Sequence, residues 1–243
     1  MAILKNERDL VVPGEILAEG LDYLPGYGAF REGDKILAKN VGMVSIHERN
    51  IGVNALAGVY MPKAGDKVIA EVLDVQMSTW FLDISAPYDA SLSIGEASEE
   101  YVERGADLSR IIDVGDLLYA KIVSVSKYKN IQLTMKDVMC KKLRGGKIVS
   151  ITPSKVPRLI GKAGSMISMI KEKTGCNIVI GQNGRVWIKG ENEDLATQAV
   201  AMVNEKSHLD GLTNTITEFL NANSSVKTDK PYEYVEGSEN NEG

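Results

Sequence analysis

Two glycines, Gly161 and Gly164, bracket Lys162 and Ala163 just before a segment with the pattern of an amphipathic helix. Glycine lacks a Cβ, so the main chain can turn sharply there and approach a ligand closely. The helix that follows presents unpaired N–H groups and the positive end of its dipole, which suit an anion. Lys162 adds a full positive charge. We therefore predict that Gly161–Gly164 binds the phosphates of a single-stranded nucleic acid; the alternative is an ordinary glycine turn between two helices.

The elements around this loop are indicated by local signals. Pro157 suits the first turn of a short helix, and Gly175 is a stop signal for the helix after the loop. We predict two strands, Asn177–Ile180 and Arg185–Ile188, joined by a hairpin turn at Asn183-Gly184. A last helix is predicted after Gly190. This order resembles a KH domain, in which a Gly-x-x-Gly loop clamps the backbone of about four nucleotides. The resemblance implies a KH RNA-binding domain over residues 141–215.

Positive charge is concentrated in the same part of the chain, although the whole chain carries a formal net charge of −5. Between residues 141 and 190 the only acid is Glu172. A one-sided run of this kind is a local electrostatic footprint for a polyanion. We therefore add Arg158, Lys147 and Lys171 to the predicted RNA-binding residues; the alternative is a solvated basic face. The eleven basic residues of the run are Lys141, Lys142, Arg144, Lys147, Lys155, Arg158, Lys162, Lys171, Lys173, Arg185 and Lys189.

Residues 61–138 are predicted to form a small barrel. Runs of β-branched and apolar residues indicate five strands, with a long loop between the third and the fourth. This arrangement favours an OB-fold, which commonly binds oligonucleotides. Two pairs, Gly65-Asp66 and Gly115-Asp116, each introduce a strand, and this usage resembles the S-one-type barrel named after a ribosomal protein. The predicted strands are Lys67–Val75, Trp80–Ile84, Ala90–Ile94, Leu117–Val125 and Ile131–Met135.

Aromatic and basic residues of the barrel form a second set of predicted RNA contacts. The sheet face of such a barrel binds single strands by stacking bases on aromatic rings within a basic groove. We predict this role for Trp80 and Tyr88, and for the turn that contains Lys127, Tyr128 and Lys129. Trp80 is followed directly by a phenylalanine on the same strand, so the two rings point to opposite faces and at least one is expected in the core. Tyr88 has the alternative role of capping the sheet.

The two ends of the chain differ in character. Residues 1–60 contain short strands split by glycine turns, and so few residues make a marginal core; this N-terminal β unit is expected to pack on the barrel or on a partner. Residues 221–243 are rich in Asn, Ser, Gly, Glu and Asp, and we expect a flexible acidic tail. The predicted fold class is multidomain β plus α/β, with a small β unit, an OB-fold barrel, an α+β KH domain and a disordered tail.

Bulk properties exclude several classes of function. The sequence contains no run of about eighteen apolar residues, so no membrane span is predicted. The N-terminal residues lack the apolar core of a signal peptide. We therefore expect a cytoplasmic protein. Cys140 and Cys176 lack the paired spacing of a zinc site, and His47 and His208 have no neighbouring acids or nucleophiles. We expect no metal, no other cofactor and no catalytic residue.

The three units, in this order, resemble the RNA-binding cap subunit of the archaeal exosome. The resemblance covers roughly residues 5 to 210, and it implies a non-catalytic subunit present in three copies on a hexameric ring of phosphorolytic 3′–5′ exoribonuclease subunits. It also implies that the N-terminal unit docks on the ring, and that single-stranded RNA is guided into the pore for degradation and processing. The motifs that carry the resemblance are Val12-Pro13-Gly14-Glu15, Gly26-Tyr27-Gly28, Gly65-Asp66-Lys67-Val68, Trp80-Phe81-Leu82-Asp83-Ile84 and Gly161-Lys162-Ala163-Gly164.

Three other classes of protein share some of these units. Polynucleotide phosphorylase is an enzyme with KH and S-one-type units, but its KH unit precedes the barrel and both follow large catalytic domains. Transcription elongation or antitermination factors place two KH units after the barrel, whereas this chain has one. The remaining alternative is a free-standing S-one and KH RNA-binding factor in transcription or translation, which would act without ring subunits.

Overall fold

A computed structural model describes residues 2–97, 108–207 and 211–223 and shows three units in contact with one another. Each unit has its own core of buried apolar residues, as the predicted multidomain β plus α/β fold requires. Residues 224–243 of the predicted acidic tail, His208 and residues 98–107 of the long barrel loop lie outside the described residues. In the part of the chain that is described, no helix is both long and apolar enough to cross a membrane.

Eight short strands form the N-terminal unit: β1 (Ala2–Ile3), β2 (Leu10–Val11), β3 (Ile16–Glu19), β4 (Leu24–Pro25), β5 (Ala29–Glu32), β6 (Lys35–Ala38), β7 (Gly42–His47) and β8 (Asn50–Ala55). They make two four-stranded sheets, β1-β3-β6-β5 and β2-β7-β8-β4, which share one core. A Cβ on Gly28 would lie 2.3 Å from the Val53 carbonyl oxygen. Gly26-Tyr27-Gly28 is therefore a structural turn that packs against β8.

The middle unit is a closed barrel, built from β9 (Lys67–Val75), β10 (Thr79–Asp83), β11 (Ala90–Ser93), α1 (Ile94–Ala97), a 3-10 turn (Leu108–Arg110), β12 (Leu117–Val125) and β13 (Ile131–Thr134). The strands pair in the order β13-β11-β10-β9-β12, and pairing of β12 with β13 closes the barrel. The predicted five-stranded barrel is confirmed. A further strand, β14 (Lys141–Leu143), pairs with β12. The chain therefore stays on the barrel past residue 141, where the KH unit was predicted to begin.

The third unit contains β15 (Lys147–Ser150), a 3-10 turn (Pro153–Lys155), α2 (Val156–Ile160), a second 3-10 turn (Lys162–Gly164), α3 (Ser165–Thr174), β16 (Asn177–Ile180), β17 (Arg185–Lys189), α4 (Glu193–Lys206) and α5 (Leu212–Asn223). Up to α4 this is the order predicted for a KH domain. The sheet order is β15-β17-β16. The helices pack on it through one apolar cluster, which includes Leu159, Ile170 and Val203.

Helix α5 was not predicted and crosses the predicted domain boundary at residue 215. Its buried residues Leu212, Ile216 and Leu220 recur every four positions and join the KH core. The hydroxyl of Thr217 also lies 2.9 Å from the sulfur of Met169 on α3. The polar residues from Asn221 onward were predicted to begin the flexible tail, but the apolar stripe is sufficient to dock the helix as far as Asn223.

An apolar cluster joins the barrel to the KH domain, and we call it the barrel–KH seam. Ile69, Tyr119 and Leu143 of the barrel pack there against Trp187 of β17. Polar contacts reinforce it, because Arg185 donates a hydrogen bond of 3.0 Å to the Asp83 carbonyl and forms an ion pair with the Asp83 carboxylate. The KH domain is thus fixed on one side of the barrel.

Candidate nucleic-acid interface

The glycine loop joins α2 to α3 and exposes Lys162 and Ala163. Gly161 has φ +78°, and a Cβ there would lie 2.7 Å from the Met166 backbone nitrogen. Gly164 is left-handed, with φ +78° and ψ 8°. These conformations are strained for residues with a Cβ. Glycine at both positions lets the main chain make the turn and leaves it open to a ligand.

Helix α3 begins at this loop without a side-chain hydrogen bond at its N-cap, Gly164. The N–H groups of its first turn therefore keep their capacity to bind an anion. A Cβ on Gly164 would find no atom within 4 Å, so the space beside the first turn is open. Ten residues later the helix stops at left-handed Gly175, as predicted. The loop and the helix together make a place for a phosphate group.

The structure brings Arg158, Lys162 and Lys171 onto α2, the loop and α3, with all three side chains exposed. Lys147 lies on β15, outside these three elements. The Lys147 ammonium lies 2.6 Å from a carboxylate oxygen of Asp194, and this hydrogen bond raises the pKa of Lys147. Lys147 is therefore already paired, and its role toward RNA stays a prediction.

The prediction for Trp80 is corrected by the structure. Its ring is fully buried in the barrel core, and its indole N–H donates a hydrogen bond of 2.9 Å to the Ile112 carbonyl oxygen. A buried ring offers no face for stacking a base. Adjacent strand residues alternate between the two faces of the sheet, and here the tryptophan takes the inner face.

Tyr88, Lys127, Tyr128 and Lys129 are all exposed. Tyr128 is 84% exposed and lies in the turn before β13, whereas Tyr88 is 44% exposed and lies in the loop before β11. β11 and β13 run parallel, with Ala90 opposite Ile131, so the two segments meet at the same end of the barrel. This end can offer aromatic rings and lysines to a single strand, as base stacking in a basic groove requires. Their contact with RNA stays a prediction.

The acidic group Asp137 and the thiol of Cys140 lie near the barrel–KH seam; the first is ion-paired and the second is partly buried. Asp137 accepts hydrogen bonds from Lys67 at 2.8 Å and Lys121 at 3.3 Å, and the bond from Lys67 chiefly lowers the pKa of Asp137 to about 2. Burial raises the pKa of the Cys140 thiol, which disfavours the thiolate. Within residues 2–97, 108–207 and 211–223, no three His, Cys, Asp or Glu residues are grouped to hold a metal ion.

Asn183 was predicted only as part of a hairpin turn, but the structure gives it a positioning role. It is 3% exposed, and its side-chain amide binds the barrel backbone at Ile69 and Ile84. The backbone N–H of the preceding Gln182 also donates a hydrogen bond of 2.8 Å to the Lys67 carbonyl oxygen. Turn chemistry alone cannot show what a turn packs against, so the sequence carried no signal for this contact.

Comparison with known proteins supports the KH domain and the resemblance to an exosome subunit. A family model described as "KH domain" matches residues 146–194. The exosome complex component Rrp4 of Methanothermobacter thermautotrophicus is 45% identical over 98% of this chain and 76% of its own length. The same component of Thermococcus kodakarensis is 47% identical over 90% of this chain and 87% of its own. A crystal structure assigned as an exosome complex RNA-binding protein is 34% identical, with a TM-score of 0.62, over 68% of this chain and 97% of that one.

Fold and glycine loop define a protein that combines a barrel with a KH domain, behind a small N-terminal β unit. The identity and coverage of the relatives place it more narrowly. The chain belongs to the family of exosome complex component Rrp4. The predicted resemblance to an exosome subunit is confirmed.

Proposed function

We propose that this chain is a non-catalytic RNA-binding subunit that caps a phosphorolytic 3′–5′ exoribonuclease ring. Three copies would sit on one hexameric ring and guide single-stranded RNA into its pore for degradation and processing. The glycine loop of the KH domain and the aromatic end of the barrel would hold the RNA. The nuclease chemistry would belong to the ring subunits.

The observation that carries this proposal is the open glycine loop. Its main chain is accessible, the first turn of α3 has no side-chain cap, and Arg158 and Lys162 lie beside it. Neither of these cations has an ion-pair partner among the residues that the structure describes. An RNA backbone would supply the missing counter-charge. The barrel–KH seam holds the glycine loop and the aromatic end of the barrel in a fixed relation.

A surface of the N-terminal unit supports docking on the ring. Leu10 and Met43 are partners across β2 and β7, so their side chains share one face of the sheet. They are 63% and 42% exposed, and nearby Val12 is 55% exposed. Clustered exposed apolar side chains on a small unit are typical of a protein–protein contact.

RNA binding is tested by titrating single-stranded RNA at a series of salt concentrations. We expect the binding constant to fall steeply with salt, because each phosphate neutralised contributes about 0.7 to the slope of log K against log salt for single strands. Binding that is flat between low and physiological ionic strength would contradict the proposed electrostatic contact.

The role on the ring is tested by reconstitution. Purified chain with labelled RNA, phosphate and Mg²⁺ should leave the RNA intact, whereas its addition to the ring should speed degradation. Size-exclusion mass measurement should show a complex with three copies of the chain for each ring. A chain that binds RNA but never co-elutes with ring subunits would instead favour the free-standing factor in transcription or translation.

A further inference from the structure

A cleft of about 450 Å³ lies where the N-terminal unit, the barrel and the KH domain meet, and we call it the junction cleft. Tyr27 lines it from the N-terminal unit, Lys63 from the segment that leads into the barrel, and Pro157 from the KH domain. Ser154, also in its wall, donates a hydrogen bond of 2.7 Å to the Leu56 carbonyl oxygen. This bond ties the KH domain to the segment before the barrel. The volume is that of an ordinary small-ligand pocket.

The junction cleft holds an aromatic ring next to a cation. The Lys63 ammonium lies 4.4 Å from the centroid of the Tyr27 ring, and Tyr27 is 48% exposed. Among the residues that the structure describes, Lys63 has no ion-pair partner. The acid in the cleft wall, Asp66, accepts a hydrogen bond of 2.6 Å from the Tyr60 hydroxyl instead. An exposed ring beside a free cation is the combination that binds a base and a phosphate of a single strand.

The rest of the cleft wall suits a nucleotide. The side chains of Asn54 and Ser154 are exposed there. An amide donates and accepts hydrogen bonds, and a hydroxyl that donates one keeps lone pairs to accept others, as a base edge and a ribose require. Val59 and Met61 add exposed apolar surface to the same wall. The cleft thus combines apolar contact, neutral polar groups and one free cation.

The junction cleft is one helical turn away from the glycine loop. Pro157 of α2 lines the cleft, and its carbonyl oxygen accepts a hydrogen bond of 2.9 Å from the Gly161 N–H. One turn of helix rises only about 5.4 Å, so a single strand can reach from the loop to the cleft. Arg158 follows Pro157 directly and is exposed, which adds a positive charge near this path.

We infer that the junction cleft binds one nucleotide of the RNA strand whose backbone lies on the glycine loop, with the base against Tyr27 and the phosphate at Lys63. The inference rests on the proposed function and extends RNA contact to the N-terminal unit. A strand held at both places crosses α2 toward that unit, which we propose to dock on the ring. The wall of the cleft comes from several units, so the site requires the intact chain.

The first test replaces the ring and the cation of the cleft, Tyr27→Leu with Lys63→Gln. The matched control, Phe30→Leu with Lys35→Gln, changes an exposed ring and an exposed lysine of the N-terminal unit that do not line the cleft. The probe is a single-stranded RNA about three times the length of a KH site of about four nucleotides. We expect the cleft variant to bind it roughly tenfold more weakly, because one stacked base is lost. Its salt slope should fall by about 0.7 for the phosphate no longer neutralised, and the control should match the unchanged chain.

The outcomes separate this inference from the proposed function. Equal affinity and equal salt slope for the cleft variant and the unchanged chain would overturn the inference alone. No RNA binding by the unchanged chain would overturn the proposed function, and the inference with it.

Thermal melts serve as the folding control. Tyr27 holds β8 through its backbone, since its carbonyl oxygen accepts a hydrogen bond of 2.7 Å from the Val53 N–H, so the variant should melt close to the unchanged chain. If the double variant melts lower, Lys63→Gln alone keeps the test, because this exposed lysine should still account for about 0.7 of the salt slope. An unchanged slope in that single variant would overturn the phosphate contact.

A second test locates the site on the unchanged chain. RNA that contains 4-thiouridine is cross-linked by light, and the attached peptides are identified by mass spectrometry. We expect cross-links to the peptides that contain Tyr27 and residues 57–66, and their loss when unlabelled RNA is added in excess. Free uridine monophosphate at the same nucleotide concentration should not compete. Cross-links to the glycine loop without any in the cleft would overturn the site, and equal competition by the free nucleotide would overturn its assignment to an RNA strand.

Discussion

The side chain of Asn183 pairs with the backbone of Ile69 in the way that one strand pairs with another. Its Oδ1 accepts a hydrogen bond of 3.3 Å from the Ile69 N–H, and its Nδ2 donates one of 2.8 Å to the Ile69 carbonyl oxygen. Nδ2 also donates a hydrogen bond of 2.9 Å to the Ile84 carbonyl oxygen. A hairpin turn of the KH domain thereby satisfies three buried backbone groups of the barrel.

Asn183→Ala should therefore destabilise the contact between the two domains. Removing the amide leaves buried donors and acceptors unsatisfied, which costs about 1–3 kcal/mol for such a group, so we expect a clearly lower melting temperature. Gln182→Ala is the matched control, because Gln182 is the exposed neighbour and its contact with the barrel uses only its backbone. Identical melting of both variants would show that the amide contributes nothing to holding the domains together.

The ion pairs of Asp137 predict a pH dependence. Its pKa in the folded chain is lowered to about 2 from an ordinary 3.8. A carboxylate with a lowered pKa stabilises the fold above its ordinary pKa, and this contribution is lost as the pH falls toward 2. Thermal melts of the unchanged chain and of Asp137→Asn should therefore differ at neutral pH and converge near pH 2, where the protonated acid resembles an amide.

Other carboxylates titrate in both proteins, so the difference between the two melting curves isolates Asp137. A difference that stays constant from neutral pH to about pH 2 would contradict the assigned ion pairs with Lys67 and Lys121.

The order of the elements was predictable because local signals determine it. Gly175 and Pro157 end and begin helices through their own backbone preferences, whatever surrounds them. Tertiary contacts were beyond the same reasoning. An aromatic residue on a strand has the same local signal whether it faces the core or the solvent, and Trp80 faces the core. Asn183 signals a turn, but its burial depends on a barrel strand more than a hundred residues away.

Helix α5 illustrates a different reason for a missed element. Half of its residues are Asn or Thr, and only its last three lie in the predicted tail, but Ile216 and Leu220 keep the four-residue spacing of one helix face. That spacing has value only when a groove on α3 and α4 is present to receive it. The glycine loop was the opposite case, because its chemistry lies in the main chain and glycine spacing is visible in sequence.

Docking of the N-terminal unit on a ring predicts a separation of two activities. Leu10→Gln with Met43→Gln removes exposed apolar surface without a change in charge. The affinity for the ring, followed by co-elution, should therefore fall roughly tenfold or more, as for the core of a protein interface. RNA affinity of the isolated chain should not change. Met77→Gln, at a side chain 88% exposed on the barrel, is the control. Undiminished co-elution of the double variant would show that the ring binds another surface.

Replacing Lys162 and Ala163 together by Asp should weaken RNA binding roughly tenfold or more, because one attraction to phosphate is replaced by two repulsions. The fold should tolerate the change. Both side chains are exposed. Ala163 has φ +52°, a conformation that Asp adopts more readily than Ala. Carboxylates also interact favourably with the dipole at the start of α3.

The same change in charge can be placed outside the loop as a control, with Lys39→Asp and Asn40→Asp in the N-terminal unit. RNA titrations at equal salt should separate the loop variant from this control, whereas thermal melts should remain close to those of the unchanged chain. Some affinity should survive in the loop variant, because the barrel end with Tyr88 and Tyr128 stays intact. Equal affinities with equal melts would mean that the glycine loop is only a turn and that the barrel carries the binding.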